Sequence, residues 1–116
     1  MATVEECRAA IGTVSERIAK LDPGDRRKHI VERTVSVTVS DADTVFDMRL
    51  TGDGVRDVTQ RGTDDPGERA DVGVTVSSDD LVALAEDRLD AAKALLGGRV
   101  RIDANFSDLM RLRKLL

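Results

Sequence analysis

Apolar and polar residues alternate in five short stretches of the chain, which is the period of a β-strand with one buried face. These stretches are residues 34–40, 44–50, 55–60, 70–77 and 99–103. The first three are separated only by short turns, at 41–43 and 51–54, so they predict an antiparallel meander. The third stretch is the most polar of them, which favours a position at the edge of the sheet.

The chain begins with a helical pattern. Thr3 and Glu6 have the spacing of a capping box, and the apolar residues that follow are three or four positions apart. The pattern predicts a helix over 3–21, ended by Asp22-Pro23-Gly24. Its polar side mixes acidic and basic residues, so a packing helix is favoured over a helix that lies on a membrane surface.

Three more helices are predicted after the fourth strand. Ser77 and Asp80 have capping-box spacing before a helix whose apolar residues are Leu81, Leu84, Ala85 and Leu89. Asp90 can cap a second, short helix with Ala94, Leu95 and Leu96, which Gly97 and Gly98 end. Asn105 can cap a last helix, with Phe106, Leu109, Met110 and Leu112 on its apolar side.

The order of these elements defines the predicted fold class. A helix, three strands, a fourth strand, two helices, a fifth strand and a helix predict an α/β protein of the two-layer α+β type. Its sheet would be five-stranded, mostly antiparallel and covered by helices on its apolar face. The length of 116 residues suits a single domain over 1–116, with the N-terminal helix at 3–21 and the strands and remaining helices within 33–116.

Composition argues against nucleic acid as a partner. The net charge is −4, and the only aromatic residues are 2 Phe. Nucleic-acid binding usually needs a basic stripe, and single strands need aromatic side chains for base stacking. The apolar volume is therefore aliphatic.

The sequence predicts a cytoplasmic protein. Cys7 is the single cysteine, so no internal disulfide forms. There is no apolar run long enough to span a membrane, and Glu5, Glu6 and Arg8 interrupt any signal-like core near the start.

Candidate chemistry is sparse, and we predict no catalytic residues, no metal site and no cofactor. His29 is the only histidine, and Cys7 falls on the apolar side of the first helix. Two such residues cannot form a zinc site. The basic cluster 25–29 is interpreted as a solvated connection, with a weak site for transient contact with a membrane surface or anionic head group as the alternative.

What remains is the apolar surface shared by the sheet and the helices. Periodic apolar positions normally form a closed core. The alternative is a cavity between the two layers that holds an aliphatic ligand.

The run 70–116 resembles the second half of the sterol carrier protein family, the type-two non-specific lipid-transfer domains. The matching segments are ADVGVTVSS, DDLVALAEDRLD, ALLGG with Ala94-Leu95-Leu96 before Gly98, RVRI, and the apolar positions Leu109 and Leu112. The upstream segment FDMRLTGDGVRDV fits the family's hairpin, and the resemblance covers about 33–116.

This resemblance implies a carrier without catalytic residues, holding a sterol, fatty acid or fatty acyl-CoA in an apolar tunnel between sheet and helices. It implies that the wall of the tunnel is drawn from eight apolar side chains: Leu81, Leu84, Leu95, Leu96, Val100, Phe106, Leu109 and Met110. A cavity-poor accessory or dimerisation module of the same fold is the alternative. Either a monomer or a homodimer is expected, because the apolar side of the last helix offers a surface for a dimer interface.

Overall fold

The computed structural model describes residues 1–20, 32–51, 54–65, 70–104 and 110. Within these ranges the chain forms helices and strands in the predicted order. They are α1 (Val4–Ala19), β1 (Arg33–Val39), β2 (Thr44–Thr51), β3 (Gly54–Gly62), β4 (Val72–Val76), α2 (Ser78–Ala85), α3 (Ala91–Leu96) and β5 (Val100–Asp103).

The strands form one five-stranded sheet in the order β3-β2-β1-β4-β5. β1, β2 and β3 are the predicted antiparallel meander, and β5 is antiparallel to β4. β1 and β4 are parallel, which makes the sheet mixed. The prediction of a five-stranded, mostly antiparallel sheet in an α+β fold is therefore confirmed, and β3 lies at an edge as expected.

One face of the sheet is apolar because the strand registers align the alternating residues. Val37 lies opposite both Phe46 of β2 and Val74 of β4. The helices cover this face, and the buried cluster between the layers takes residues from both. Its members are Cys7, Ala10, Ile11, Val37, Val39, Phe46, Met48, Val76, Leu81, Ala85, Ala94 and Val100.

The other face of the sheet is polar and carries a hydrogen-bonded group on β1, β2 and β3. Asp47 accepts hydrogen bonds from the Ser36 hydroxyl at 2.5 Å and from Arg61 Nε at 2.7 Å. Burial acts to raise the pKa of Asp47, but the bonds from Arg61 and Ser36 outweigh it and lower the pKa overall. This face can remain solvated, which accounts for helices on one side only.

The helix starts follow the predicted caps. Thr3 and Glu6 exchange side-chain-to-amide hydrogen bonds of 3.1 Å at the start of α1. Ser77 Oγ accepts the amide of Asp80 at 3.2 Å, and the Asp90 carboxylate accepts the amide of Lys93 at 3.0 Å. Each bond satisfies an amide that has no partner inside its own helix.

Two helix ends differ from the prediction. α1 ends at Ala19, and Leu21 lies outside the described residues. α2 ends at Ala85, so the prediction that Leu89 continues this helix is wrong.

The reason α2 stops is the backbone at Asp87, which has φ 59°. The amide of Arg88 donates to the carbonyl of Ala83 at 2.8 Å, and that of Asp87 to Leu84 at 3.3 Å. These are the two bonds of a Schellman motif, which closes a helix end. Arg17 of α1 donates to the carbonyls of Leu84 and Ala85, and so ties the two helices together.

Other predictions fall outside the described residues. They are the glycine turn at 52–53, the basic cluster 25–29 with His29, and the last helix from Asn105, of which only Met110 is described, in helical conformation.

Candidate functional site

The apolar face of the sheet is closed most tightly under α1 and α2. Val39 and Phe46 are fully buried there, and Leu81 and Ala85 of α2 pack in the same cluster. This part of the molecule is an ordinary core, since no space separates the two layers at these residues.

On the same face some aliphatic residues are only half-buried. Val35, Val74 and Ile102 form a strip across β1, β4 and β5, and each packs against the core cluster. Val74 pairs with Ile102, whereas the direct partner of Val35 is the buried Val72. Leu84 of α2 is half-buried in the same way. Half-buried aliphatic side chains such as these are the surfaces that an apolar ligand would cover.

The eight residues predicted to line a tunnel lie in different environments. Leu81 and Val100 are each 8% exposed and belong to the core cluster. Leu84 and Leu95 are half-buried. Leu96 is 89% exposed and Met110 40% exposed, whereas Phe106 and Leu109 lie outside the described residues. The structure brings Leu81 and Val100 into one cluster with Leu84 packed against it, and the role of all eight as a wall stays a prediction.

A second feature, which the sequence interpretation missed, lies between α1 and the edge strand. A cleft of about 270 Å³ is lined by Arg8, Ile11, Gly12, Ser15, Val55 and Val58. Ser15 Oγ accepts the Val55 amide at 3.0 Å, and this bond holds α1 to β3 at one end of the cleft. The signal that could have found it is Gly12, a glycine inside a helix where alanine is more stable.

The surroundings of Cys7 are those of a structural residue and not of a nucleophile. Cys7 is fully buried, and burial above all, with nearby Asp41 and Glu6, raises the pKa of its thiol. A raised thiol pKa disfavours the nucleophilic thiolate. Across the described ranges, no three His, Cys, Asp or Glu side chains are grouped closely enough to hold a metal ion.

No helix among the described elements has the length and apolarity needed to cross a bilayer.

The fold and the surfaces on it define a class: a two-layer α+β domain with helices over one apolar sheet face. A sequence model of the SCP-2 sterol transfer family matches residues 12–116, and the chain belongs to this family. Membership supports lipid binding or transfer in general, in domains that are generally non-enzymatic carriers. The resemblance found in the sequence is thereby confirmed, while a search of curated proteins gave no match.

Solved structures share the fold over almost the whole chain. Sterol carrier protein 2 like 2 from Aedes aegypti superposes with a TM-score of 0.66 at 18% identity, covering 97% of each chain. The palmitated form of that mosquito protein gives a TM-score of 0.63 at 19% identity, covering 98% of this chain and 94% of that one. The inverting sec-alkylsulfatase Pisa1 from Pseudomonas sp. gives 0.55 at 25% identity, covering 88% of this chain and 15% of that chain.

Proposed function

We propose that the protein is a lipid carrier that holds a fatty acid, fatty acyl-CoA or sterol between its sheet and its helices. The observation that carries this proposal is the strip of half-buried aliphatic side chains, Val35, Val74 and Ile102, on the apolar sheet face of a domain of this family.

Burial of the ligand would supply the affinity. Each methylene removed from water contributes about 0.8 kcal/mol, so a long acyl chain needs few polar contacts. The likeness to a palmitated mosquito protein supports an acyl chain as one occupant. The described residues offer aliphatic surface and few side chains suited to catalysis. We therefore favour transport of an unchanged ligand over a reaction on it.

The first test is native mass spectrometry of the protein purified under mild conditions, followed by extraction and identification of any lipid. A carrier should show a mass increment matching one lipid. Failure to find a lipid, together with no binding of added palmitate or cholesterol, would contradict the proposal.

Replacement of Leu84 by Asp tests the wall of the site. Leu84 is half-buried, so a charge there should be tolerated by the fold but should lower palmitate affinity at least tenfold. Ala92→Asp is the control, because Ala92 is exposed on α3 and is not one of the eight predicted wall residues. A folded Leu84→Asp protein with unchanged affinity would remove Leu84 from the wall.

A second candidate is an accessory or dimerisation module of the same fold. The observation in its favour is that the chain corresponds to only 15% of the Pisa1 alkylsulfatase, where the fold is one part of a larger enzyme. Absence of bound lipid combined with a stable dimer in sedimentation velocity would favour this candidate.

A further inference from the structure

The cleft between α1 and β3 combines an apolar floor with a cationic rim. Ile11 is buried in the core cluster, and Val55 and Val58 pack against that cluster, so the floor is continuous with the interior. Arg8 is exposed at the rim. A volume of about 270 Å³ lies just below the range of roughly 300–1,000 Å³ typical of sites for whole drug-sized ligands. The cleft therefore suits one end of a longer molecule.

Gly12 lines this cleft without a side chain that could occupy it. It lies inside the 16-residue helix α1, and a Cβ added there would have no atom within 4 Å. A glycine in a helix interior is less stable than alanine, so close packing does not explain this residue. A larger side chain at position 12 would project into the cleft, because Gly12 is part of its lining.

Within the part of the chain that the structure describes, Arg8 has no carboxylate partner, whereas several other arginines there do. Arg17, Arg61 and Arg99 form ion pairs with Asp87, Asp47 and Asp80. Arg8 donates one bond to the Gln60 side-chain oxygen at 2.6 Å and lies 6.0 Å from the centre of the Phe46 ring. A guanidinium has five N–H donors, so several of them are available to an anion at the rim.

We infer that this cleft binds the head of an anionic amphiphile, with Arg8 pairing to the carboxylate of a fatty acid. The first methylenes then cross Gly12 and lie on Ile11, Val55 and Val58. A single guanidinium matches the single charge of a carboxylate in a two-bond geometry. This inference rests on the proposed function and deepens it, because it makes Arg8 and Gly12 the residues that select acidic lipids over neutral ones.

The test for Arg8 compares two ligands of the same chain length, palmitate and 1-hexadecanol, by isothermal titration calorimetry. The unaltered protein should bind palmitate more tightly than hexadecanol. Arg8→Gln should lower the affinity for palmitate about tenfold and leave the affinity for hexadecanol unchanged. Arg101→Gln is the matched control: it removes an exposed arginine from β5, where Arg101 alternates with Val100 and so lies on the polar face.

The test for Gly12 separates binding from folding. Gly12→Leu should raise the melting temperature by a few degrees, because leucine is the better helix former and has space around it. The same variant should lower the affinity for palmitate at least tenfold, because the leucine side chain fills the cleft. A variant more stable but less able to bind cannot be explained by misfolding.

Each result has a distinct meaning. Binding of neither ligand to the unaltered protein would overturn the proposed function together with this inference. Equal binding of both ligands, or full palmitate affinity in Arg8→Gln or Gly12→Leu, would overturn the inference and leave the carrier function standing.

Discussion

Asp41 shows how one side chain can join two distant parts of the chain. The Ser78 amide and hydroxyl donate to its two carboxylate oxygens, each at 2.9 Å, and Ser78 Oγ in turn accepts the Ala2 amide at 3.1 Å. Ser78 is fully buried, so its hydroxyl needs these partners. The sequence predicts Asp41 only as a turn residue, because its partner is 37 positions away.

This arrangement predicts a particular response to pH. The hydrogen bond from the Ser78 amide, above all, lowers the pKa of Asp41 below its ordinary value. A carboxylate with a lowered folded-state pKa stabilises the fold above its ordinary pKa and loses that effect as pH falls through the folded value. Asp41→Asn should therefore be less stable than the unaltered protein near neutral pH, with the difference shrinking below about pH 4.

Urea denaturation over a series of pH values measures this difference. Asp64→Asn, at an exposed position, is the control and should change the free energy of unfolding only slightly. A constant gap between Asp41→Asn and the unaltered protein down to strong acid would contradict the assignment.

Arg8 and Gly12 mark the limit of prediction for single residues. In the helical pattern both fall outside the apolar stripe. A glycine inside a helix is unusual, but nothing in the sequence connects it with Arg8 or with β3. Only the position of β3 beside α1 gives them a shared cleft. A site formed by residues of two elements distant in sequence has no local signature.

At the scale of elements, local signals predicted most of the structure. The caps Thr3, Ser77 and Asp90 act within three residues of themselves, so the sequence contains all that determines them. The end of α2 was missed because Asp87 adopts a left-handed conformation that usually favours glycine. The spacing of the apolar residues alone predicts that the helix continues to Leu89.

The cap of α2 gives a prediction for this element. Ser77→Ala removes the acceptor for the Asp80 amide and should lower the free energy of unfolding by about 1 kcal/mol. Ser77→Asp keeps an acceptor at the same position and should retain most of the stability. Chemical denaturation of both variants checks the expectation, and equal losses in the two would show that the cap is not the cause.

At the scale of the whole molecule, the sequence predicted five strands and the meander of the first three, but not where the last two join the sheet. Val35, Val37 and Val39 have the same pattern whether β1 lies beside β4 or beside β5. The parallel pairing of β1 with β4 joins residues distant in sequence, such as Val35 and Val72, so no local pattern specifies it. For the same reason the sequence could name apolar wall candidates but could not separate buried Leu81 from exposed Leu96.

Ligand binding should be visible in the stability of the entire domain. A ligand that binds only the folded state adds about 2.7 kcal/mol at a concentration one hundred times its dissociation constant. Saturating palmitate should therefore raise the melting temperature of delipidated protein by several degrees in differential scanning calorimetry. Leu84→Asp should abolish most of this increase, and an equal increase in that variant would argue against binding beside α2.

The parallel pair at the centre of the sheet also has a kinetic consequence. Partners on β1 and β4, such as Val35 and Val72, are far apart in sequence, whereas β1, β2 and β3 are joined by tight connections. Closing the longer loop costs more chain entropy, so the three-strand meander should be formed early and β4 should dock later. The apolar strip on Val35, Val74 and Ile102 spans that late junction, so it is completed only when the chain has finished folding.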